Sequence, residues 1–291
     1  MKDYLVKALA FDDQIRAFAI TSTHLVEEAR QRHGCWPTVS AALGRTLSIA
    51  AMMGSQLKGQ ESVTIRINGG GPAGPIIVDA EADGTVRGYV ANPEVHFQYH
   101  SGKLNVGMAV GTDGVLAITK DLGMKDFFTG QVPLQSGEIG DDFTYYFTVS
   151  EQVPSAVGVG VLVEPDNSVR AAGGFIIQVM PGATDETLTK LETALASIKP
   201  VSQLIDEGHS PESLLHVILG EENVRILERK EVKFMCNCNK DKFADGIVSL
   251  GSNEIQNMID EDQGCEAVCH FCKEKYSFSV PELEVLKSQT N

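Results

Sequence analysis

The sequence contains no apolar run that approaches the roughly 20 residues needed for a membrane-spanning helix. Its N-terminus also lacks the pattern of a secretory signal peptide, because charged residues interrupt any apolar core in the first 13 positions. We therefore expect a cytosolic protein that has no membrane partner.

Positive charge is also scarce. The chain has 24 lysines and arginines against 39 aspartates and glutamates, a formal net charge of −15. Nucleic acids and anionic membranes would be repelled by such a chain, so neither is expected as a partner. With 43% apolar and 22% charged residues, the 291 residues have a globular composition and suffice for one large and one small domain.

Cysteine is almost absent from most of the chain: only Cys35 precedes position 236, and five cysteines lie in the last 56 residues. In a reducing cytosol, such a cluster is more typical of a metal or redox site than of structural cross-links. Cys236 and Cys238 form a C-x-C pair, and Cys269 and Cys272 form a C-x-x-C pair after thirty intervening residues. Two tight turns of this kind can bring four thiolates to one tetrahedral zinc ion, so we predict one zinc per chain on these four cysteines.

The cysteine spacing leaves the role of the metal open. The zinc could be structural, or the site could be a redox switch, because bound thiolates are oxidisable and disulfide formation would release the metal. About sixty residues cannot easily bury a sufficient core, so in either case we expect metal loss to unfold this region. The nearby Cys265 could substitute as a ligand, but we expect it to line a hairpin. His270 could also bind metal, but four thiolates already complete a tetrahedron.

The hydrophobic patterns predict an α+β fold in three parts. Residues 1–180 would form a large mixed-sheet domain around a buried helix, residues 181–230 a helical connector, and residues 231–291 a small zinc-binding domain. The helix predicted from Pro37 to about residue 57 is apolar or small on nearly every face, which is typical of a buried helix.

Turn residues and apolar spacing delimit the other predicted elements. In the first part, one helix ends at Gly34, a hairpin turn is predicted at Asp113-Gly114, and strands are predicted at 5–10, 15–21, 63–67, 75–80, 85–90, 143–149, 156–163 and 174–179. The connector would contain short helices at 185–198, 201–207 and 210–219. In the last part, helices are predicted at 240–250, from 252 and from 281, with a hairpin of 266–270 and 275–279 whose turn holds Cys269 and Cys272.

Two further motifs favour structural roles over chemistry. Residues 69–74 match G-x-G-x-x-G, but a predicted strand follows them instead of the helix that a dinucleotide site requires, so we predict a glycine-rich hairpin. Cys35 begins a helix with only His33 as a nearby base, and we expect it to be a small buried hydrophobic residue. No nucleotide-binding or hydrolase signature appears, so the chain is not expected to be an enzyme.

Other motifs run in order along essentially the whole chain. They are N-G-G-G-P at 68–72, R-G-Y-V-A-N-P at 87–93, S-E-Q at 150–152, A-G-G at 172–174 and Y-S-F at 276–278. Together with the two cysteine pairs, they resemble the family of redox-regulated bacterial chaperones known as heat shock protein 33, which act as holdases.

This resemblance implies that the reduced protein holds zinc on its four paired cysteines and is inactive. Oxidant combined with unfolding stress would form the disulfides Cys236–Cys238 and Cys269–Cys272 and release the zinc. The zinc domain and the connector would then unfold and expose apolar surface to unfolding client proteins, without ATP, and the activated form would be a homodimer. Cys265 is additional to the family's four cysteines, so its pairing with Cys269 or Cys272 remains an alternative.

Apolar residues of the connector are the candidate client-binding surface. They are Leu188, Leu191, Leu195, Leu204, Ile205, Leu214, Leu215 and Ile218. The same residues could instead dock the connector onto the large domain, and both roles can hold in different states.

Two other functions are weighed against the chaperone. A zinc-ribbon protein that binds nucleic acid is disfavoured because residues 231–291 have 11 acidic and 6 basic side chains, a net charge of −5. A thiol-disulfide oxidoreductase using Cys269 and Cys272 is disfavoured because a thioredoxin-like C-x-x-C begins a helix in a βαβ unit, whereas this one lies in a predicted hairpin.

Overall fold

The computed structural model describes residues 2–290, which form two compact units divided between Met235 and Cys236. The first unit is built from two β-sheets and a central helix, and the second contains both cysteine pairs. No helix of residues 2–290 has the length and apolar character required to cross a membrane.

The first unit contains eleven strands and seven α-helices among its described residues. In chain order they are β1 (Tyr4–Ala10), β2 (Ile15–Thr21), α1 (Thr23–His33), α2 (Pro37–Gly54), β3 (Ser62–Asn68), β4 (Ile76–Glu81), β5 (Thr85–Val90), α3 (Val106–Val110), β6 (Val115–Asp121), β7 (Phe128–Pro133), α4 (Gly140–Val149), β8 (Ser155–Val163), β9 (Val169–Val179), α5 (Asp185–Ser197), α6 (Val201–Asp206), α7 (Pro211–Leu219), β10 (Val224–Glu231) and β11 (Lys233–Phe234).

Helix α2 lies between the two sheets. One sheet has the strand order β10-β1-β2-β9-β8 and the other β11-β5-β4-β3-β6-β7, and α2 contacts strands of both. Every residue from Thr38 to Gly54 is buried, as its sequence predicted, because a helix covered on both sides must be apolar or small all round.

Gly44 shows how closely α2 is packed. A Cβ at this position would lie 2.5 Å from Cγ1 of Val26 and 2.9 Å from Cγ2 of Val161. We therefore expect Gly44→Ala to destabilise the first unit by about 1–3 kcal/mol through overpacking. Urea unfolding followed by the fluorescence of Trp36, the one tryptophan of the chain, measures this change. Gly246→Ala is the control, because a Cβ at this position of the second unit would meet no atom within 4 Å. It should leave the unfolding transition reported by Trp36 unchanged. An unchanged urea midpoint in Gly44→Ala would argue against tight packing around α2.

The prediction of a strand at residues 143–149 is wrong, because these residues belong to helix α4. Their aromatic and β-branched side chains favour a strand. However, Phe143, Tyr146 and Phe147 recur at helical spacing, and all three are buried. The carboxylate of Asp142 also fixes the start of the helix by accepting hydrogen bonds from four backbone N–H groups of the preceding loop.

The turn at Asp113-Gly114 does not join two strands as predicted, since it connects the short helix α3 to β6. The sequence prediction also lacked β6, β7 and β10. Strand β10 alternates partly buried and exposed residues and pairs antiparallel with β1. Its exposed positions are mostly charged, so its apolar signal is weak.

The glycine-rich segment at 69–74 connects β3 to β4 and is a hairpin loop, as predicted. The N–H of Gly71 donates to the carbonyl of Val110, and the N–H of Ala73 donates to that of Ala109, both at 2.9 Å. Because glycine has no side chain, the backbone of this loop can pack directly on α3. The loop is followed by strand β4 and not by a phosphate-binding helix.

Helices α5, α6 and α7, predicted as a connector, pack on the sheet that contains β1, β2 and β9. Their buried apolar residues share one core with these strands; the helix residues in that core are Leu191, Val201, Leu204, Leu214, Leu215, Ile218 and Leu219. A hydrogen bond of 2.7 Å from the Tyr4 hydroxyl to the Glu212 carboxylate joins α7 to the first strand. The connector is thus held mainly by apolar contacts with the sheet.

Candidate metal centre

The second unit is a hairpin surrounded by short helices. Its elements are α8 (Lys240–Leu250), α9 (Ser252–Asp260), β12 (Gly264–Val268), β13 (Lys275–Ser279) and α10 (Val280–Lys287). They agree with the predicted helices and hairpin to within two residues. Among the described residues, their shared core has five buried side chains, with eight partly buried ones packed against them; the buried ones are Ile247, Ile255, Phe278, Leu283 and Leu286. A core of this size supplies little stability by itself.

Four thiols converge at one end of this unit. Cys236 and Cys238 directly precede α8, and Cys269 and Cys272 lie in the turn between β12 and β13. The Sγ atoms of Cys236 and Cys269 are 3.8 Å apart, those of Cys238 and Cys272 are 3.3 Å apart, and all four lie within 4.8 Å of one another. None of the four forms a disulfide in the described chain, so the cluster could hold a metal ion.

Local hydrogen bonds shape the C-x-C turn. The side-chain oxygen of Asn239 accepts the N–H of Lys242 at 2.9 Å and caps the start of α8. The ammonium of Lys242 donates to the carbonyl of Asn237 at 2.7 Å, between the two cysteines. The C-x-C pair therefore lies directly before the N-terminus of α8 in the chain.

The C-x-x-C turn is closed by backbone hydrogen bonds. The N–H of Cys269 donates to the carbonyl of Glu274 at 2.9 Å, and the N–H of Lys273 donates to the carbonyl of Cys269 at 2.8 Å. Lys273 has a positive φ of 63°, which turns the chain sharply back into β13. As a result, Cys269 and Cys272 are both buried.

Tyr276 contributes to the cluster from β13, although the sequence analysis gave it no role. Its hydroxyl lies 3.3 Å from the Sγ of Cys238, and its ring centroid is 5.0 Å from that of Phe243 on α8. Its position four residues after Cys272, on the returning strand of the predicted hairpin, was the signal that could have identified it. Tyr276 thus connects the two cysteine turns.

Three thiols of the cluster differ in their tendency to ionise. Burial raises the pKa of Cys236 and Cys272, and the neighbouring thiols raise it further. Burial also opposes ionisation of Cys238, but hydrogen bonds with Tyr276 and the other thiols lower its pKa overall. The cluster therefore favours ionisation at one thiol and opposes it at two others unless a cation balances the charge.

Cys265, His270 and Cys35 lie outside the four-thiol cluster. Cys265 is opposite Phe278 in the hairpin and packs against the small core, and burial raises the pKa of its thiol. His270 is exposed. Cys35 is 2% exposed and lies between α1 and α2 in the first unit, as expected of a small buried residue.

The candidate client-binding residues lie on the connector helices at different depths. Leu191, Leu204, Leu214, Leu215 and Ile218 are buried. Leu188, Leu195 and Ile205 are half-buried, and the last two pack against the same core. In this structure, the set except Leu188 therefore docks α5, α6 and α7 on the sheet.

The fold and the cysteine cluster define a sheet-rich protein with a small second unit whose four thiols could hold a metal ion. The family model described as Hsp33 protein matches residues 3–279. The 33 kDa chaperonin of Staphylococcus carnosus is 58% identical over 291 residues, covering 100% of this chain and 99% of that protein. The 33 kDa chaperonin of Bacillus subtilis is 57% identical over 289 residues, covering 99% of each chain.

A solved structure is similar over the same length. It is the crystal structure of the 33 kDa chaperonin (heat shock protein 33 homolog) of Thermotoga maritima, with a TM-score of 0.93, 37% identity, and coverage of 99% of this chain and 98% of that one. The chain therefore belongs to the Hsp33 family and is a chaperone of that family. This family consists of chaperones and not of enzymes, in agreement with the sequence prediction.

Proposed function

We propose that this chaperone is an ATP-independent holdase of the cytoplasm, activated by oxidation, that binds unfolding proteins under oxidative and heat stress. The observation that carries the proposal is the convergence of four thiols within 4.8 Å of one another in a unit with a five-residue core. In a unit with so small a core, metal binding by the thiols can stabilise the folded state, and oxidation of the thiols can unfold it.

The thiol separations fit zinc. A tetrahedral ion with Zn–S bonds of about 2.3 Å requires sulfurs about 3.8 Å apart. Cys236 and Cys269 already have this separation, and Cys238 and Cys272, at 3.3 Å, would move apart slightly. When bound, zinc would balance the thiolate charge and cross-link the C-x-C turn to the hairpin.

Oxidation converts the ligands into disulfides. In each pair, two zinc-bound thiolates lose two electrons and form one S–S bond, while hydrogen peroxide accepts the two electrons and two protons from solvent, breaks its O–O bond and leaves as two water molecules; Zn²⁺ is released because its ligands are gone. We propose the pairs Cys236–Cys238 and Cys269–Cys272. The Sγ atoms of Cys236 and Cys269 are 3.8 Å apart, those of Cys238 and Cys272 are 3.3 Å apart, and all four lie within 4.8 Å of one another, so pairing across the two turns is also within reach.

Loss of the zinc would unfold the second unit, and the connector helices α5, α6 and α7 would then leave the sheet. The side chains uncovered are those of the shared core, and we propose that Leu188, Leu191, Leu195, Leu204, Ile205, Leu214, Leu215 and Ile218 contact clients. Apolar surface of this kind also favours association of two activated chains, so we propose a homodimer on activation.

The oxidoreductase alternative has less support because Cys269 and Cys272 lie in a turn between two antiparallel strands and not at a helix start. The nucleic-acid alternative is disfavoured by the excess of acidic side chains in residues 231–291.

Zinc content, free-thiol counts and disulfide mapping test the proposed switch. The reduced protein should hold one zinc per chain and expose six thiols on denaturation. After warm peroxide treatment, zinc should be absent, Cys35 and Cys265 should remain as thiols, and aggregation of a heat-denaturing client, followed by light scattering, should be suppressed. A disulfide that involves Cys265 would refute the pairing. A metal-free, disulfide-linked protein that stays folded and suppresses nothing would refute the switch.

A further inference from the structure

Tyr276 lies on strand β13 of the second unit, on the side of the hairpin that faces the small core. It pairs with Ala267 of β12, and Phe278, two residues further along the same face, is buried. Side chains alternate between the two faces of a strand, so the exposed Ser277 points the other way. The position of Tyr276 in the hairpin therefore directs its side chain into the unit.

Helix α8 holds the ring of Tyr276 in place. The centroid of this ring is 5.0 Å from that of Phe243 on α8, and the two ring planes make an angle of 31°. Both side chains also pack against the small core. Aromatic pairs at this separation attract one another, and packing on more than one side restricts the rotamers of a side chain. The hydroxyl group of Tyr276 is therefore held at a defined place.

This hydroxyl adjoins the cysteine cluster. It lies 3.3 Å from the Sγ atom of Cys238, which is itself 3.3 Å from the Sγ atom of Cys272. A cysteine that binds zinc does so as a thiolate and has no proton to donate. In the zinc-bound protein, the hydroxyl is therefore the donor and the sulfur is the acceptor. Hydrogen bonds to an ionised acceptor are roughly twice as strong as those between neutral groups.

Two other sulfur atoms of the cluster accept hydrogen bonds from backbone N–H groups. The N–H of Cys238 donates to Cys236, and the N–H of Glu274 donates to Cys272. Tyr276 donates to Cys238 in the same way, but from a side chain. A single substitution can therefore remove this hydrogen bond and leave the backbone donors of both cysteine turns in place.

We propose that Tyr276 is a positioning residue of the four-cysteine zinc site. Its hydroxyl donates a hydrogen bond to the Cys238 thiolate and thereby controls how firmly the site holds zinc. The hydrogen bond stabilises the negative charge that remains on the sulfur, and it fixes the Cys238 side chain in the position of a ligand. Loss of an outer partner of this kind typically lowers metal affinity about 10–100-fold.

This inference rests on the zinc site of the proposed function and names a residue that regulates it. In the proposed switch, loss of zinc is the step that unfolds the second unit. A hydroxyl that strengthens zinc binding therefore opposes activation, and Tyr276 sets how readily the switch opens. The inference does not depend on oxidation, because it is tested in the reduced protein.

The zinc affinity of the reduced full chain, measured by competition with a chromophoric chelator, tests the proposal. Tyr276→Phe keeps the ring that packs on Phe243 and loses only the hydroxyl. Ser277→Ala is the matched control, because it removes a hydroxyl from the outer face of the same strand. Tyr276→Phe should bind zinc at least tenfold more weakly, and Ser277→Ala should bind it as the wild type does. Equal affinity of Tyr276→Phe and the wild type would overturn the proposal.

Cobalt substitution distinguishes hydrogen bonding from packing. Co²⁺ can occupy the same thiolate ligands as zinc, and its sulfur-to-metal charge-transfer absorption reports the electron density on the sulfur atoms. A hydrogen bond stabilises the sulfur electrons, so its loss in Tyr276→Phe should move this absorption to longer wavelength, and Ser277→Ala should not move it. Weaker zinc binding by Tyr276→Phe with an unchanged cobalt spectrum would show that Tyr276 acts only by packing, and would overturn the hydrogen bond.

A measurement on the wild type covers the case in which Tyr276→Phe fails to fold. In protein loaded with a magnetically active cadmium isotope, the hydroxyl proton of Tyr276 should show a scalar coupling to the metal through the Cys238 sulfur in its nuclear magnetic resonance spectrum. Absence of this coupling would overturn the hydrogen bond. A wild type that holds zinc no more tightly than Tyr276→Phe refutes this inference alone, whereas a wild type that binds no zinc refutes the proposed zinc site itself.

Discussion

Replacing Cys272 with serine is expected to make the fully reduced protein suppress client aggregation without any oxidant. The variant leaves three thiols at a site that requires four. Structural zinc contributes on the order of 10 kcal/mol in small zinc modules, and a core of five side chains supplies far less. The second unit should therefore lose zinc and unfold, which is the step that oxidation performs in the proposed switch.

The measurements are zinc content, limited proteolysis and light scattering of a heat-denaturing client, all in excess reductant. Cys265→Ser is the matched control, because Cys265 lies in the same hairpin but outside the four-thiol cluster. It should keep its zinc, resist protease and remain inactive. If Cys272→Ser loses its zinc and unfolds but stays inactive, the link between unfolding and activation fails.

Replacing buried residues of the connector should separate its docking role from its client-binding role. The triple variant Leu204→Ser, Leu215→Ser and Ile218→Ser removes side chains that pack α6 and α7 on the sheet. Loss of one buried Leu or Ile side chain typically destabilises by about 2–5 kcal/mol, so the reduced variant should show protease cleavage in the connector. In the oxidised variant, suppression of aggregation should be lost, because the apolar surface offered to clients is gone.

Val217→Ser is the control for this experiment. Val217 lies on α7 with the buried residues but is 50% exposed, so its loss should affect neither docking nor client binding. Protease cleavage combined with full suppression by the oxidised triple variant would show that these residues only dock the connector. In that case the client-binding assignment would be wrong.

The correct sequence predictions depended on signals that are local in the chain. Thr184 and Ser210 cap α5 and α7, and each accepts a hydrogen bond from an N–H three residues on. The C-x-C and C-x-x-C spacings are equally local, which is why the four cysteines could be grouped before the fold was known. The strand predicted at 143–149 failed because the buried aromatic residues and the loop that Asp142 organises outweigh local β-propensity.

By itself, the sequence determined the two cysteine turns, the buried helix α2 and the short capped helices, because residues close in the chain decide caps, turns and apolar periodicity. The tertiary structure alone decided that Tyr276 meets Cys238, that the connector leucines lie against the sheet, and that β8 is an outer strand of its sheet. Strand order and the depth at which a side chain is buried depend on contacts between residues far apart in the chain, and no local pattern encodes them.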